Sequence, residues 1–227
     1  MKSEMNIAVL LAAGNGERFG GYKQFERIGG RMVYTYPLSV LQETGIFQRI
    51  VLVLPSEKHF ELIEESVEKI VGGSTRQESS RIATEYLQKT GVVEEDLVLI
   101  HDAVRPFLTR EGIFRVLDAA EKNGAATVGR YSTDTVYFAG ETITLLNREK
   151  VFLAETPQVF RFGLLKKGHE AAVRDGYRTT DDISLVLRMG VKPQLVVSDW
   201  FNMKITTRRD LELFKLLLKS GIRPKLQ

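Results

Sequence analysis

The sequence predicts an α/β fold built on a mostly parallel β-sheet. Short apolar runs that are typical of buried strands alternate along the 227 residues with amphipathic stretches of helical spacing. Several of the helical stretches also carry start or stop signals. Strand–helix alternation indicates βαβ units, whose right-handed crossovers bring the loops that follow the strands to one edge of the sheet. We therefore expect a ligand site at that edge.

The individual elements follow from the same patterns, in chain order. The predicted strands are residues 7–11 (IAVLL), 49–55 (RIVLVLP), 96–103 (DLVLIHDA), 125–130 (AATVGR) and 194–199 (QLVVSD). The predicted helices are residues 32–43, 57–70, 76–89, 110–124 and 206–221. Thr207 is suited to cap the last helix at its N-terminus, and Gly221 follows the end of that helix.

Residues 131–160 interrupt this alternation. They are rich in Thr, Val, Tyr and Phe around a central Ala-Gly-Glu, a pattern that predicts a β-hairpin inserted between α/β units. We place this arm at about 131–156, within a single domain that spans residues 1–227. An insertion of this kind is typical of a segment that packs on a partner chain or covers a site.

Composition excludes several classes of site. The chain has no Cys, which rules out disulfides, thiolate zinc sites and thiol nucleophiles. Its three histidines, His59, His101 and His169, lie far apart and form no metal-ligand pattern. The net charge of +3 is too small to indicate a nucleic-acid partner, but it suits small anionic ligands. The N-terminus resembles neither a signal peptide nor a membrane span, so we expect a cytoplasmic protein without a membrane partner.

Residues 10–25, LLAAGNGERFGGYKQF, raise the question of which phosphates a glycine loop after the first strand could bind. A dinucleotide loop does not usually need cations such as Arg18 and Lys23, and a Walker loop needs a Gly-Lys-Ser/Thr sequence that is absent. The remaining choice is an open loop whose amides wrap a triphosphate while the two cations neutralise charge. The glycines alone favour the simpler alternative of a tight turn with solvated cations.

Four further segments narrow the choice. They are GGSTRQESS at 72–80, HDAVRPF at 101–107, ETPQVF at 155–160 with TDDISLV at 180–186, and NMKITTRRDL at 202–211. Together with the glycine loop and its KQF, they resemble the 2-C-methyl-D-erythritol 4-phosphate cytidylyltransferases of non-mevalonate isoprenoid synthesis. The resemblance runs nearly end to end. It implies a Rossmann-like fold of the nucleotidyltransferase type, with a protruding β-arm that makes a homodimer.

The resemblance also implies a reaction, in which a polyol phosphate attacks the α-phosphorus of CTP and diphosphate leaves. A phosphomonoester has a second pKa of about 6, so it is largely dianionic at neutral pH. It is therefore already a nucleophile and needs no general base. The difficulty is to bring two anions together, so cations, a divalent metal such as Mg²⁺ and positioning should provide most of the catalysis.

Four cationic side chains match the family's catalytic positions. Arg18 and Lys23 would contact the triphosphate and stabilise the transition state, and Lys204 would align the attacking phosphate. Arg148 and Thr135, both on the predicted arm, match positions that bind the polyol phosphate in the neighbouring subunit's site. For Arg18 and Lys23 the simpler interpretation is a pair of surface cations, and for Arg148 it is a salt bridge within the hairpin.

The resemblance assigns a further set of residues to CTP. These are Ala12, Ala13, Gly14, Gly16, Gly73, Ser74, Ser79, Asp102 and Ala103. Residues 73–79 match the loop that distinguishes cytosine from uracil, although Ser79 could equally be a plain residue at a helix start, and Arg76 would order this loop. Asp102 ends a predicted strand, where a carboxylate can hold Mg²⁺ with help from phosphate oxygens, or can simply cap a helix.

The remaining positions have weaker assignments. Arg105 would anchor its loop or reach the substrate, and Thr156 matches another substrate contact. His101 is interpreted as structural rather than catalytic. Asp181 and Asp182 precede a helical segment and are interpreted as helix caps.

Three departures from the family pattern leave a second family open. Tyr22 stands before Lys23 where the family usually has Pro, Tyr137 stands where a Lys is common, and Phe201 stands where an Asp is often found. The last two, with HDAVRPF, also suit the ribitol-5-phosphate cytidylyltransferases, whereas TDDISLVLRMG favours the methylerythritol enzymes. More remote alternatives are a nucleotide-dependent oxidoreductase, which would bind NAD(P), and an inactive CTP-binding module.

Overall fold

The computed structural model describes residues 4–63, 67–198 and 202–222. The strands are β1 (Asn6–Leu11), β2 (Arg27–Ile28), β3 (Arg31–Met32), β4 (Arg49–Leu54), β5 (Glu68–Val71), β6 (Leu97–Asp102), β7 (Ala125–Tyr131), β8 (Val136–Ala139), β9 (Ile143–Leu146), β10 (Phe152–Arg161) and β11 (Gln194–Val197). The α-helices are α1 (Thr35–Thr44), α2 (Arg76–Lys89), α3 (Arg110–Asn123), α4 (Phe162–Asp175), α5 (Ile183–Arg188) and α6 (Arg208–Lys219). Short 3₁₀ helices occupy Lys23–Phe25, Glu57–Leu62 and Arg148–Lys150.

Seven strands form the central sheet, in the order β11-β7-β10-β6-β1-β4-β5. β10 runs antiparallel to its neighbours β6 and β7, and every other pair in this sheet is parallel. The predicted α/β class with a mostly parallel sheet is therefore confirmed. Within the described ranges, no helix is long and apolar enough to cross a membrane.

Helices cover both faces of the sheet and explain why its strands are continuous apolar runs. Successive residues of β1 alternate between two buried clusters, with Ala8 and Leu10 in one and Ile7 and Val9 in the other. The first cluster includes side chains of α1 and α3, and the second includes side chains of α2, α4 and α5. A third cluster, centred on the fully buried Phe214 of α6, lies beside the small β2–β3 hairpin.

The register of the central strands brings the site elements together. Leu11 at the end of β1 lies opposite Asp102 of β6 on one side and Val53 of β4 on the other. The loop after β5 joins the same edge, since the Gly72 amide donates to the Leu54 carbonyl. This is the edge at which the sequence predicts a ligand site.

Most predicted helices form where expected. α2 spans the predicted residues 76–89, and the side chain of Thr75 caps it by accepting a hydrogen bond from the Glu78 amide. The predicted cap at Thr207 is also confirmed, as part of a capping box in which Asp210 accepts from the Thr207 amide.

The predicted helix at 57–70 is wrong. Its first part is the 3₁₀ helix Glu57–Leu62, and its last part is the edge strand β5, while residues 64–66 lie outside the described ranges. β5 is only half-buried, so its mixture of charged and apolar residues resembles an amphipathic helix in sequence. The sequence patterns also do not predict β10, because residues 152–161 fall mainly within the predicted hairpin, and they do not predict α4.

A hairpin does occur within the interrupted region. β8 and β9 pair antiparallel as a separate two-stranded sheet, joined by residues 140–142. Its apolar side chains are exposed: Tyr137, Phe138, Ile143 and Leu145 each keep 59% or more of their surface open to solvent. Exposed apolar surface of this kind commonly marks a contact region.

Candidate active site

A cavity of about 380 Å³ opens at the predicted edge of the sheet. It lies among the loop after β1, the loop between β5 and α2, the end of β6 and the segment that precedes α6. The predicted site residues that line it are Ala12, Ala13, Gly14, Gly16, Arg18, Lys23, Gly73, Ser74, Ser79, Asp102 and Lys204. Residues far apart in the chain therefore share one pocket.

The glycine loop turns tightly at Gly16. The Gly16 carbonyl accepts hydrogen bonds from the amides of Phe19, Gly20 and Gly21, at 2.8, 2.8 and 3.3 Å. Gly16 has a φ of +66°, and a Cβ atom there would overlap the carbonyl oxygen of Gly21. Both the left-handed backbone and the close approach require glycine at this position.

Gln24 fixes the backbone of the glycine loop. Its buried side-chain amide donates to the carbonyl oxygens of Ala12, at 2.7 Å, and Gly14, at 3.0 Å. In the described part of the chain, the backbone N–H groups of residues 13–18 donate to no acceptor. A run of free amides beside a cavity is a ready anion site. Sequence motifs do not single out Gln24, although it is the middle residue of KQF at 23–25.

A second loop, residues 73–79, forms the opposite wall. The Ser79 hydroxyl accepts from the Gly73 amide, at 3.1 Å, and donates to the Thr75 carbonyl. The Glu78 carboxylate accepts from both the amide and the hydroxyl of Ser74, at 2.7 and 2.8 Å. These contacts fix the loop before α2 begins, and Ser79 is thus a buried loop anchor as well as a helix residue.

Asp102 is the anionic centre of the pocket. Its Oδ1 accepts from Nε of Arg76 at 3.0 Å, and its Oδ2 accepts from Nζ of Lys204 at 2.7 Å. Burial opposes ionisation, but Arg76, Lys204 and Arg105 outweigh it and hold the pKa of Asp102 well below its usual range. The amide of Asp102 donates to the hydroxyl of Thr156 on β10, at 3.1 Å, which fixes the backbone at this point.

Lys23 experiences the excess of positive charge most strongly. Burial, followed by repulsion from Lys204 and then from Arg18, lowers the pKa of Lys23 to about 8. An anion in the pocket would relieve this repulsion. The charge distribution of the pocket therefore favours a negatively charged ligand.

The Asp102 carboxylate determines whether the pocket can hold Mg²⁺. Within the described residues, no group of three or more His, Cys, Asp or Glu side chains is placed to hold a metal ion. Asp102 alone fits the way Mg²⁺ binds in nucleotide sites, where one or two carboxylates are completed by phosphates and waters. Because both of its oxygens are already paired, an ion there would share Asp102 with Lys204 and Arg76.

Comparison with known proteins identifies the family. The family model of 2-C-methyl-D-erythritol 4-phosphate cytidylyltransferase matches residues 6–220. The chain belongs to this family. A 2-C-methyl-D-erythritol 4-phosphate cytidylyltransferase of Thermotoga neapolitana is 38% identical, over 95% of this chain and 97% of the relative. That of Aquifex aeolicus is 35% identical, over 94% and 98%.

Solved structures agree with the sequence relatives. The crystal structure of 2-C-methyl-D-erythritol 4-phosphate cytidylyltransferase from Thermus thermophilus matches with a TM-score of 0.75 and 31% identity, over 93% of this chain and 98% of that one. The 4-diphosphocytidyl-2C-methyl-D-erythritol synthase from Anaerococcus prevotii matches with a TM-score of 0.83 and 26% identity, over 95% and 96%. The cytidylyltransferase fold expected from the sequence motifs is confirmed.

Some family positions lie behind the pocket rather than in its wall. Arg105 donates from Nη1 to the carbonyl of Asn202, at 2.7 Å, and so anchors the segment that carries Lys204. Ala103 is fully buried, and its amide donates to the Leu11 carbonyl. His101 is also fully buried, and burial lowers its pKa to about 4, which suits the structural role expected for it.

The two predicted arm residues are not brought to this chain's own pocket. Thr135 and Arg148 both lie on exposed backbone next to the β8–β9 hairpin, and neither lines the cavity. The Arg148 guanidinium donates to the carbonyl of Thr133, at 2.9 Å. A role for these residues in catalysis therefore requires a second chain or a movement of the hairpin.

Asp181 and Asp182, both interpreted as caps, have different environments. Asp181 does accept a hydrogen bond from the Ser184 amide, as a cap does. Asp182 caps nothing with its side chain; instead it is fully buried and accepts from Nη1 of Arg76 at 2.8 Å. The cap interpretation is thus wrong for Asp182, because a cation from α2 competes for its carboxylate.

The departures from the family pattern have partial explanations. The Tyr22 ring lies edge-on to His59, with ring centroids 5.0 Å apart, and Phe25 stacks on the same His59 ring at 4.9 Å. These contacts hold the end of the glycine loop where the family usually has Pro. Tyr137 is exposed on β8, and Phe201 lies outside the described residues.

The lowered pKa of Lys23 predicts a pH dependence. Lys23 is protonated below pH 8 and loses its charge as the pH rises through about 8, so CTP affinity should fall above that pH. Isothermal titration of the protein with CTP across this range measures the effect. In Lys23→Arg the charge persists, since a guanidinium stays protonated, and the fall should move to higher pH. A wild-type affinity that is flat through pH 8 and beyond would contradict the assignment.

The hydrogen bonds of Gln24 predict a second effect. Gln24→Glu keeps the size of the side chain but turns a carboxylate toward two carbonyl oxygens, which should open the glycine loop. We expect CTP affinity to fall by about tenfold, which corresponds to the loss of one to two hydrogen bonds. Gln88→Glu, on the exposed side of α2, is the matched control and should bind CTP like the wild type. Equal affinity in both variants would show that Gln24 does not support the loop.

Proposed function

We propose that this chain transfers CMP from CTP to 2-C-methyl-D-erythritol 4-phosphate and releases diphosphate, in the non-mevalonate synthesis of isoprenoid precursors. Family membership supports the reaction class. The observation that carries the proposal is the set of three cations, Arg18, Lys23 and Lys204, around a cavity walled by free amides. A triphosphate matches that combination of charge and hydrogen-bond donors.

The protein forms no covalent bond to the substrates in the proposed reaction, since the substrate's own phosphate is the nucleophile. An oxygen of the substrate's phosphate forms a bond to the α-phosphorus of CTP, and the bond from that phosphorus to the diphosphate breaks. The attacking phosphomonoester is largely dianionic at neutral pH, since its second pKa is about 6. No general base is needed, and the described residues that line the pocket include no His or Tyr to serve as one. Catalysis then rests on charge neutralisation and alignment.

The three cations have different proposed roles because they lie at different positions in the pocket. Arg18 and Lys23 follow the glycine loop and would neutralise charge on the triphosphate as the bond to diphosphate breaks. Lys204 comes from the segment that precedes α6, where its ammonium group lies 2.7 Å from the Asp102 carboxylate. It would hold the incoming phosphate in line with the α-phosphorus.

Mg²⁺ is the proposed cofactor, with Asp102 as its protein ligand. When bound, a divalent ion supplies further neutralisation of the phosphate oxygens. Asp102 suits this role because Arg76 and Lys204 keep it ionised and held in place. Thr156 supports it from β10 through the hydrogen bond to its backbone amide.

Cytosine recognition is assigned to the loop at 73–79, and Ala12 and Ala13, which follow β1 and line the cavity, are assigned to CTP binding. Backbone carbonyls and a hydroxyl can accept from the exocyclic amine of cytosine, which uracil lacks. Ser79 and Glu78 hold this loop in one conformation before any ligand arrives. Preorganised acceptors of this kind reject a base that leaves them unpaired.

We further propose a homodimer in which the hairpin of one chain completes the site of the other. The exposed apolar side chains of β8 and β9 would be covered in such a dimer. Thr135 and Arg148 would then bind the polyol phosphate, and a planar guanidinium is suited to grip phosphate with two hydrogen bonds. Arg105 would support the substrate through its hold on the Asn202 backbone. A cytoplasmic location remains a prediction from sequence.

The substrate is tested by diphosphate release with CTP and Mg²⁺. We expect turnover with 2-C-methyl-D-erythritol 4-phosphate and little with ribitol 5-phosphate. Arg18→Ala should lower kcat by about a hundredfold with the fold intact, since it removes one transition-state cation. Preference for ribitol 5-phosphate would overturn the substrate but keep the mechanism. CTP binding without release of diphosphate from either substrate would indicate an inactive binding module.

The composite site is tested by mixing two inactive variants. In a mixed dimer of Lys23→Ala and Arg148→Ala chains, one of the two sites would combine an intact Lys23 with an intact Arg148 from the other chain. Activity should therefore reappear when the two variants are unfolded and refolded together, or are co-expressed. Mixtures that stay inactive while mixed dimers form would place both residues in a site within one chain.

A further inference from the structure

Two adjacent carboxylates, Asp181 and Asp182, precede α5. Asp181 is half-buried and Asp182 is buried, and the two make different contacts. Asp181 accepts from the Ser184 amide and from the side-chain amide of Gln158, at 3.2 and 3.0 Å. Asp182 is fully buried and accepts from Nη1 of Arg76, at 2.8 Å. Of the two, Asp182 alone contacts Arg76, a residue that lines the pocket.

Asp182 begins an uninterrupted row of four charges of alternating sign that ends at the pocket. Asp182 pairs with Arg76, Nε of Arg76 pairs with Asp102 at 3.0 Å, and Asp102 pairs with Lys204 at 2.7 Å. The four residues come from the start of α5, the first turn of α2, the end of β6 and the segment before α6. The row joins parts of the chain that the sequence keeps far apart.

We propose that Asp182 is a positioning residue for the proposed cytidylyl transfer. It orients the Arg76 guanidinium so that Asp102 stays turned toward Lys204. The inference rests on the proposed function only for its effect on turnover. The arrangement of the four side chains can be measured without it.

Arg76 needs such an orienting group because its guanidinium has enough N–H donors to engage both oxygens of Asp102. A guanidinium meets a carboxylate most favourably with two parallel N–H bonds, which would engage both oxygens of Asp102. Its Nη2 is already buried without a hydrogen-bond partner among the described residues, so a different orientation is open to it. Asp182 binds Nη1 and leaves only Nε for Asp102, and Oδ2 of Asp102 remains available to Lys204.

Asp182 is itself held firmly enough for this role. Its backbone amide and that of Ile183 both donate to the side-chain oxygen of Gln158 on β10, at 3.1 and 3.2 Å. Nε2 of His169 lies 3.5 Å from Oδ1 of Asp182. Burial opposes ionisation of Asp182, but Arg76 and then His169 hold its pKa well below the usual range. The backbone of Asp182 is thus held in place, and its side chain is negatively charged.

The test compares Asp182→Asn with Asp181→Asn, a neighbour that lacks the contact to Arg76. We expect Asp182→Asn to lower kcat by about tenfold to a hundredfold, as for a small misplacement of a reacting group, and to leave KM for CTP unchanged. Asp181→Asn should keep the wild-type kcat. A folded Asp182→Asn variant with wild-type kcat overturns the proposal, whereas an inactive wild type would overturn the proposed function instead.

A second readout does not depend on turnover. Reaction of lysines with acetic anhydride, followed by peptide mapping, reports how firmly Lys204 is paired. In Asp182→Asn, Lys204 should react severalfold faster relative to Lys215, and in Asp181→Asn the ratio should stay at the wild-type value. An unchanged ratio in Asp182→Asn contradicts the proposal, whatever the substrate is.

The single variant leaves a buried guanidinium with one partner fewer, which can prevent folding. In that event Asp182→Glu replaces it, because this variant keeps the negative charge beside Arg76 but moves the carboxylate by one methylene. A positioning role predicts that Asp182→Glu folds but has a lowered kcat and a more reactive Lys204. A wild-type kcat together with the wild-type Lys204 ratio would show that Asp182 serves only to neutralise Arg76 in the fold.

Discussion

The carboxylate of Asp102 is the interaction on which the candidate site depends. A pocket for a triphosphate needs several cations at short range, and those cations repel one another before the ligand arrives. Asp102 reduces that repulsion by pairing with Arg76 and Lys204. Burial, and then the remaining repulsion from Lys204 and Arg18, lowers the pKa of Lys23 to about 8. The side chains of the pocket thus hold one another in place and still favour the arrival of negative charge.

The topology of the sheet makes this arrangement possible. β1 and β6 are neighbours, and their register sets Leu11, the last residue before the glycine loop, opposite Asp102. The antiparallel strand β10 passes on the other side of β6 and supplies Thr156 to the Asp102 amide. Arg105, three residues after Asp102, ties the end of β6 to the segment that carries Lys204. One strand end therefore positions groups from several distant parts of the chain.

Local patterns and motifs in the sequence were sufficient for part of this account. They predict α2, the cap at Thr207 and the parallel sheet, because periodicity and capping are local properties. The motifs also indicate that Lys23 and Lys204 share a site. They do not reveal β5, which is defined by its pairing with β4, nor the contact of Arg76 with Asp182, which lies 106 residues away. Such contacts depend on tertiary structure, and a pair of acidic residues before a helix resembles caps until that structure is known.

The central claim is that the cations around Asp102 surround the phosphates of CTP. A crystal structure of the protein with CTP and Mg²⁺ tests it most directly. We expect the triphosphate to lie against the amides of residues 13–18, with Lys23 beside it and Lys204 facing the α-phosphorus, while Asp102 keeps its contact with Arg76. A CTP molecule bound elsewhere, or a triphosphate in this cavity that contacts neither lysine, would contradict the account.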